Sequence, residues 1–230
     1  LRLMAEANDL VIGVGWLFDT AMAEVAVEYP DTNFAIIDGF VDAPNVASLL
    51  YAEHEGSFLV GAAAGMKTGA NVIGFIGGVN FPLINKFEAG FAAGVAQTNP
   101  DATVLVEYVT EPPDFDGFNA PDRGREIALS MYEKGADIIY QAAGGTGFGV
   151  FEAAKSHTED SGSKVWAIGV DSDQYNVVDD SVKEYLLTSM MKNMDVSVFD
   201  VIKAQGEDSF QRGAVMFNLT NDGVANATTR

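Results

Sequence analysis

The chain of 230 residues contains no cysteine, two histidines and no long hydrophobic run. Without cysteine it can form neither a disulfide, nor a thiolate metal site, nor a cysteine nucleophile. None of its apolar runs reaches the roughly 18 consecutive residues of a membrane-spanning helix. The first residues also lack the basic, apolar and small-residue order of a signal peptide. These features do not determine the redox compartment or the cellular location of the protein.

Basic side chains are scarce, because 13 lysines and arginines face 33 acidic residues and the formal net charge is -20. Such a charge argues against a nucleic-acid partner or an anionic membrane surface. It also disfavours a phosphorylated ligand, so a neutral or cationic small solute fits better. With 48% hydrophobic and 20% charged residues, the chain can bury a core as one large domain or two small lobes.

Short apolar runs rich in β-branched residues alternate with longer segments of helical periodicity, which indicates a parallel α/β sheet. The predicted strands are Asp9–Gly13, Asn33–Ile37, Val72–Ile76, Thr103–Tyr108, Asp137–Gln141, Lys164–Gly169, Tyr185–Met190 and, more weakly, Ala214–Phe217. The predicted helices are Asp19–Tyr29, Asn45–Met66, Pro82–Gln97, Asp122–Lys134, Phe148–Lys155 and Asp195–Ala204.

Catalysis has no support in the sequence. His54 and His157 have no plausible nucleophile beside them, and they are interpreted as surface or packing residues. No spacing suggests a hydrolase triad or a metal cluster, and no cofactor is expected.

The glycine-rich segment "AAGGTGFG" follows a predicted strand and opens a helix, where backbone N–H groups can hold an acceptor. It lacks the G-x-G-x-x-G spacing of a dinucleotide fold and the Lys-Ser/Thr ending of a phosphate loop. Gly144, Gly145 and Gly147 therefore form either a tight turn that contacts a ligand or a tight turn alone.

Charged residues stand at the carboxyl ends of several predicted strands, where α/β sheets bind ligands. Asp171 in "IGVDSDQ" can accept hydrogen bonds from ring N–H or amino groups, whereas Asp173 is interpreted as a helix N-cap or turn residue. Asp38 ends "FAIIDG" and Lys192 follows "TSMM". A carboxylate and an ammonium together suit a vicinal diol, although each alone is more often a solvated charge.

Several motifs in order along nearly the whole chain resemble the basic membrane protein family, the substrate-binding lipoproteins of nucleoside importers. "FEAGF", "AAGGTG" and "GVDSDQ" carry most of the resemblance, together with "LVIGVGW", "NVASLLYAEHEGSFLVGAAAG", "IGFIGGVNFPLINKFEAGFAAG", "DIIYQAAGGTGFGVFEAAK" and "LLTSMMKNMDVSVFDVIKA".

The resemblance implies a type I periplasmic-binding-protein fold, in which two doubly wound parallel-sheet lobes are joined by a hinge and clamp the ligand. Residues 1–69 and 186–207 would form lobe one, and residues 70–185 and 208–230 lobe two. The chain begins with the last turns of a helix that lead into a strand, so we expect the N-terminal portion of lobe one to be absent.

By the same resemblance, the ligand base stacks between aromatic rings while carboxylates and a lysine hold its edge and the ribose. The implied residues are Phe118 and Tyr140 for stacking, Asp171 for the base, Asp38 and Lys192 for the sugar, and Gly144 to Gly147 for the pocket wall. Two alternatives are core packing for Tyr140 and loop anchoring for Phe118. Trp16, where relatives often carry phenylalanine, is either a pocket aromatic or a packing residue.

The resemblance therefore implies a receptor that captures a purine nucleoside and delivers it to an ABC transporter permease. It would be extracytoplasmic, with a lipid anchor outside this chain as its only membrane attachment. A ligand-sensing regulatory module and, less favoured, a nucleoside-processing enzyme are the alternatives. Ala120 stands where the family often has aspartate, which leaves open the identity of the nucleoside.

Overall fold

Strands and helices alternate along residues 1–228, which are the residues that the computed structural model describes. The strands are β1 Leu10–Val14, β2 Asn33–Ile37, β3 Val46–Tyr51, β4 Val72–Val79, β5 Thr103–Thr110, β6 Ile138–Ala142, β7 Trp166–Gly169, β8 Leu186–Lys192, β9 Gly213–Phe217 and β10 Val224–Asn226. The α-helices are α1 Arg2–Ala5, α2 Asp19–Glu28, α3 Glu53–Lys67, α4 Pro82–Thr98, α5 Pro121–Glu133, α6 Gly147–Ser161, α7 Asp180–Lys183 and α8 Met194–Gly206.

The first of two compact units comprises Leu1–Ala52 and Asn193–Val224. Its four-stranded sheet has the order β1-β2-β3-β9, and all three strand pairs are parallel. Helix α2 buries Met22, Val25 and Ala26, which share one helical face. This face packs with apolar residues of β1, β2 and β3 to form the core of the unit.

The second unit comprises Glu53–Lys192 and residues 225–228. The six-stranded sheet has the order β10-β8-β7-β6-β4-β5, and the pairs from β5 through to β8 are parallel. All five residues of β6 are buried, as a central strand covered on both faces requires. The carboxyl ends of these parallel strands consequently lie along one edge of the sheet.

Helices α3 and α4 of the second unit approach each other closely because glycines line their contact. A Cβ atom on Gly61 would lie 2.2 Å from the backbone oxygen of Phe91, and one on Gly94 would lie 2.1 Å from that of Phe58. Real Cβ atoms do not occupy such positions, so the contact depends on these small residues. It fixes α3 within the second unit.

The α/β class and the expected strands are confirmed, with boundaries that differ by a few residues. The helix predicted over Asn45–Met66 is wrong in its first third, because Val46–Tyr51 forms β3 and the helix begins at Glu53. Leucine and alanine in this run favour a helix locally, but parallel pairing with β2 and β9 buries the run as a strand. The sequence did not reveal α7 or β10.

The structure corrects the expected division of the chain, which combined residues 1–69 with 186–207 and residues 70–185 with 208–230. Helix α3 packs on α4 and therefore belongs to the second unit rather than to the first. Strand β8 pairs with β7 in the six-stranded sheet, whereas β9 pairs with β3 in the four-stranded sheet. Among residues 1–228, no helix combines the length and apolarity needed to cross a membrane.

Candidate functional site

Two loops of the second unit meet at the carboxyl edge of its sheet, and Thr146 joins them. One loop contains a short 3-10 turn at Asp116–Phe118, and the other contains the turn Gly144–Thr146 that leads into α6. The buried hydroxyl of Thr146 accepts a hydrogen bond from the Ala120 N–H (2.7 Å) and donates one to the Gly117 carbonyl (2.7 Å). The glycine-rich loop and the loop that carries Phe118 therefore form one surface.

The ring of Phe118 is half-buried and lies directly on the backbone of β4. A Cβ atom on Gly78 would lie 2.5 Å from the Phe118 ring, so only glycine permits this placement. The ring also meets Phe81 edge to face, with centroids 6.2 Å apart. Phe118 is therefore a supported aromatic platform rather than a mobile surface side chain.

The glycine-rich turn combines an accessible part with a buried part. Gly144 is exposed and has a φ of 55°, a left-handed conformation that favours glycine. Gly145 is half-buried, whereas Gly147 is buried against the side chain of Gln141. Gly144 and Gly145 can thus present backbone to a ligand, while the position of Gly147 fits the tight-turn alternative.

Asp171 and Lys192, which the sequence placed at separate strand ends, lie together. The Lys192 Nζ is 3.9 Å from Oδ1 of Asp171. The Asp171 side chain is 45% exposed, whereas that of Lys192 is only 2% exposed. Asp171 also has a φ of 65°, a conformation that is uncommon for a residue with a side chain and that recurs at functional sites. A partly exposed carboxylate, with its Oδ1 buried, therefore stands beside a buried ammonium.

A buried amide network holds the backbone that leads into Asp171. The Gln174 Oε1 accepts hydrogen bonds from the Val170 N–H (2.8 Å) and from the Gln141 side chain (2.7 Å). The Gln174 N–H donates to the Ser189 hydroxyl at 3.1 Å. Because Gln141 belongs to β6, Val170 directly follows β7 and Ser189 lies within β8, the network ties the Asp171 loop to the sheet.

The sequence interpretation of Asp173 is confirmed. Its carboxylate caps the 3-10 turn Gln174–Asn176 and accepts a hydrogen bond from the Tyr175 N–H. The two aspartates of "GVDSDQ" thus differ in role, because Asp173 binds its own chain while Asp171 lies beside Lys192.

Tyr140 lies in the hydrophobic core, which agrees with the alternative of core packing given for this residue above. It is 0% exposed, and its ring contacts Phe91 and Phe75 at centroid distances of 5.0 and 5.6 Å. Its hydroxyl shares a 3.2 Å hydrogen bond with the Ser57 hydroxyl. Burial raises the pKa of the Tyr140 hydroxyl above its ordinary value, so the group stays neutral. In this position the ring presents no face for stacking.

The first unit places Trp16 and Asp38 at the carboxyl ends of its neighbouring strands β1 and β2. Both side chains are partly accessible, and Asp38 adopts a left-handed φ of 62°, like Asp171 in the other unit. Asp19 is an additional acidic residue here, since a Cβ atom on Gly39 would lie 2.1 Å from its Oδ1. Burial raises the pKa of the Asp19 carboxyl, although a hydrogen bond from the Phe40 backbone opposes the shift.

Glu53 is the main functional candidate that the sequence interpretation missed. Its side chain is 1% exposed, and its Oε1 lies 3.6 Å from the Lys192 Nζ. The available signal was an acidic residue within an otherwise apolar stretch, "LLYAEHEG", at the start of a helix. That signal indicates only a favourable helix N-terminus, because the partner lies far along the chain.

The part of the chain described by the structure contains no group of three or more His, Cys, Asp or Glu side chains arranged to hold a metal ion. His157 packs against Tyr132 with a centroid distance of 5.3 Å, and His54 is exposed. Both positions fit the packing and surface roles expected from the sequence.

Each unit has a sheet of parallel strands covered by helices, with polar residues at the carboxyl edge of the sheet. This architecture is that of a solute-binding protein of the type I periplasmic-binding-protein class. An ABC transporter solute-binding protein from Aeropyrum pernix K1 has the same fold, with a TM-score of 0.83 and 28% sequence identity. The match covers 97% of this chain and 61% of that structure.

The chain belongs to the Bmp family of PnrA-like ABC transporter substrate-binding proteins, whose family model matches residues 2–227. The family resemblance of its motifs is thereby confirmed. It is 40% identical over 224 residues to a CD4+ T-cell-stimulating antigen of Listeria monocytogenes, covering 94% of this chain and 61% of that protein. It is 35% identical over 224 residues to the ABC transporter nucleoside-binding protein BmpA of Lactococcus lactis, covering 94% and 62%. The chain thus spans about three fifths of these relatives' length.

Replacing Tyr140 tests its placement in the core. Tyr140→Ala is expected to lower the free energy of unfolding by about 3–5 kcal/mol, because it leaves a large cavity. Tyr140→Phe keeps the ring and loses the Ser57 hydrogen bond, and it is expected to cost about 0.5–1.5 kcal/mol. Urea denaturation of the two variants measures both effects. An alanine variant as stable as the parent would contradict the core placement.

Proposed function

We propose that the protein captures a purine nucleoside outside the cytoplasmic membrane and delivers it to an ABC importer. The observation that carries this proposal is the accessible Asp171 carboxylate beside the buried Lys192 ammonium, on the sheet edge that also bears Phe118. A purine nucleoside offers ring donors, a flat face and sugar hydroxyls, which suit these three groups in turn.

Asp171 is proposed to hold the edge of the base. A carboxylate accepts hydrogen bonds and donates none, so it selects ring N–H and exocyclic amino groups. The Gln174 network fixes the backbone before Asp171, which keeps the carboxylate in place before a ligand arrives. Such preorganisation reduces the ordering cost of binding.

Phe118 is proposed to stack against one face of the base, with the backbone of Gly144 and Gly145 beside it. Support comes from its contacts with Gly78 and Phe81, which hold the ring with part of its surface accessible. A ring that is already immobile loses little conformational entropy when a base stacks on it. Tyr140 is not included in this proposal because its ring is buried.

Lys192 is proposed to bind a sugar hydroxyl in the second unit, and Asp38 is taken by itself as the corresponding candidate of the first unit. A hydroxyl both donates and accepts, so either an ammonium or a carboxylate can bind it. Trp16 stands at the strand end next to that of Asp38 and is the aromatic candidate of the first unit.

The family and its relatives support the transport role. The family model describes ABC transporter substrate-binding proteins, and the Lactococcus relative is named a nucleoside-binding protein. The proposed partners are therefore a nucleoside and an ABC permease, with no cofactor and no nucleic acid. We also propose that the protein lies outside the cytoplasm and is attached to the membrane through a lipid anchor.

Calorimetry of the intact protein tests the ligand class. Inosine is expected to bind at least about tenfold more tightly than its 5′-monophosphate, because the net charge of -20 and the local carboxylates repel phosphate. Free hypoxanthine should also bind more weakly, since it lacks the sugar hydroxyls. Equal or tighter binding of the nucleotide would reject the proposal. Chromatography of the recovered inosine serves as the control, because release of free base would indicate an enzyme.

The two aspartates of "GVDSDQ" provide a matched pair. Asp171→Ala is expected to weaken inosine binding by about 1.5–3 kcal/mol, the range for a hydrogen bond to a charged group. Asp173→Ala removes a similar carboxylate two residues away, which caps the chain, and should leave the affinity nearly unchanged. Both affinities can be measured by calorimetry on folded variants. Equivalent losses would show that the assignment of Asp171 to the base is wrong.

Phe118→Ala tests the aromatic platform. Stacking of a base on an aromatic side chain is worth about 1–3 kcal/mol, so inosine affinity should fall by that amount while any affinity for ribose stays the same. Phe199→Ala, an exposed phenylalanine of the first unit, is the control and should change neither affinity. If Phe118→Ala lowers the melting temperature without a selective loss for the purine, Phe118 only anchors its loop.

A further inference from the structure

Glu53 and Lys192 form a buried ion pair at the two ends of one chain segment. They are the first and last residues of Glu53–Lys192, the main segment of the second unit. The Lys192 Nζ lies 3.6 Å from Glu53 Oε1, and the side chains are 2% and 1% exposed. Glu53 opens α3 and Lys192 ends β8, so the pair joins a helix N-terminus to a strand end.

The burial of this ion pair calls for a functional explanation, because removing two charges from water costs several kcal/mol per ion. The second oxygen of Glu53 is occupied by Lys86, with a distance of 3.3 Å between Nζ and Oε2. The carboxylate thus lies between one half-exposed ammonium and one buried ammonium. Its position is fixed from two sides.

Lys192 is held in a similar way. Its Nζ lies 3.9 Å from the accessible Asp171 carboxylate and 5.1 Å from the centroid of the Phe87 ring, a cation–π contact. The ammonium therefore stands between the buried Glu53 carboxylate and Asp171, whose side chain is 45% exposed although the Oδ1 that faces Lys192 is buried. The 3.6 and 3.9 Å separations are ion-pair distances longer than ordinary N–H···O hydrogen bonds.

We propose that Glu53 is a positioning residue that sets the direction and charge of the Lys192 ammonium for a ligand hydroxyl. This inference rests on the proposed function, since the ligand is the nucleoside bound beside Asp171 and Lys192. Glu53 itself is buried and acts only through Lys192. It balances the attraction of Asp171 for the ammonium, so that the Asp171 carboxylate stays available to the base.

The proposal predicts a specific defect in Glu53→Gln, which keeps the shape of the side chain and removes its charge. Lys192 should then turn toward Asp171, which weakens the contacts of both groups with the nucleoside. We expect inosine affinity to fall at least about tenfold, against a change below about twofold for Glu184→Gln. Glu184 is the matched control, because it pairs with Lys164 at 3.0 Å on the surface of the same unit.

A pH profile separates positioning from a general structural effect. The charged groups that contact the Lys192 ammonium are the carboxylates of Glu53 and Asp171. Lys86 contacts the other oxygen of Glu53, and the Tyr140 hydroxyl interacts electrostatically with Asp171 and Glu53. With Glu53 neutral, the buried ammonium loses its proton more easily, so the affinity of Glu53→Gln should decline further as the pH rises. The affinities of the parent protein and of Glu184→Gln should decline less over the same range.

A double-mutant cycle covers the case in which Glu53→Gln fails to fold. Lys192→Met removes the buried ammonium, so Glu53→Gln/Lys192→Met should fold and match Lys192→Met alone in inosine affinity. A further loss in the double variant would show that Glu53 acts independently of Lys192 and would overturn the proposal. So would a folded Glu53→Gln that binds inosine as the parent does. A parent protein that does not bind inosine would instead reject the proposed function.

Discussion

Parallel strand pairing is the constraint on which the rest of the molecule depends. In the second unit, strands β4 to β8 pair in parallel, so each strand delivers its carboxyl end to the same sheet edge. The Gly144 turn follows β6, Asp171 follows β7 and Lys192 ends β8. These positions are spread over nearly 50 residues of sequence, yet the sheet brings them to one edge. Turns that follow these strands therefore bring the candidate residues to one surface.

The same constraint explains which parts of the fold could be predicted from the sequence. Continuous apolar runs that end in glycine or aspartate mark buried parallel strands, and they located most strands within a few residues. Strand β3 was missed because its run, Val46–Tyr51, is followed without a turn signal by the helical pattern of α3. Only its pairing with β2 and β9 makes it a strand. The predicted unit boundaries were wrong for a related reason. The contact between Gly61 and Phe91 that fixes α3 joins segments that are distant in the sequence.

At the candidate site, the placements that could be predicted are those that follow from a residue's position along a strand. Asp171 and Lys192 stand at strand ends, and Asp173 stands where a turn needs a cap. Tyr140 also lies near a strand end, but the pattern does not show that Phe91 and Phe75 cover its ring. Thr146 and Glu53 escaped notice because their partners belong to distant segments. Interactions that arise from tertiary contacts therefore leave little signal in the local sequence.

The buried pair of Glu53 and Lys192 shows how stability and binding differ in their demands. Apolar residues of the same volume would pack there without desolvating charges, and such replacements are often neutral or stabilising. The pair is therefore weak evidence for a stability role. It does place an ammonium of fixed direction 3.9 Å from the carboxylate of the partly exposed Asp171 side chain, which an apolar pair could not do. An exposed lysine could supply the charge, but it would have to lose rotamer entropy and water on binding. Burial beside Glu53 meets those costs during folding, so the ammonium is already in place for the proposed ligand hydroxyl.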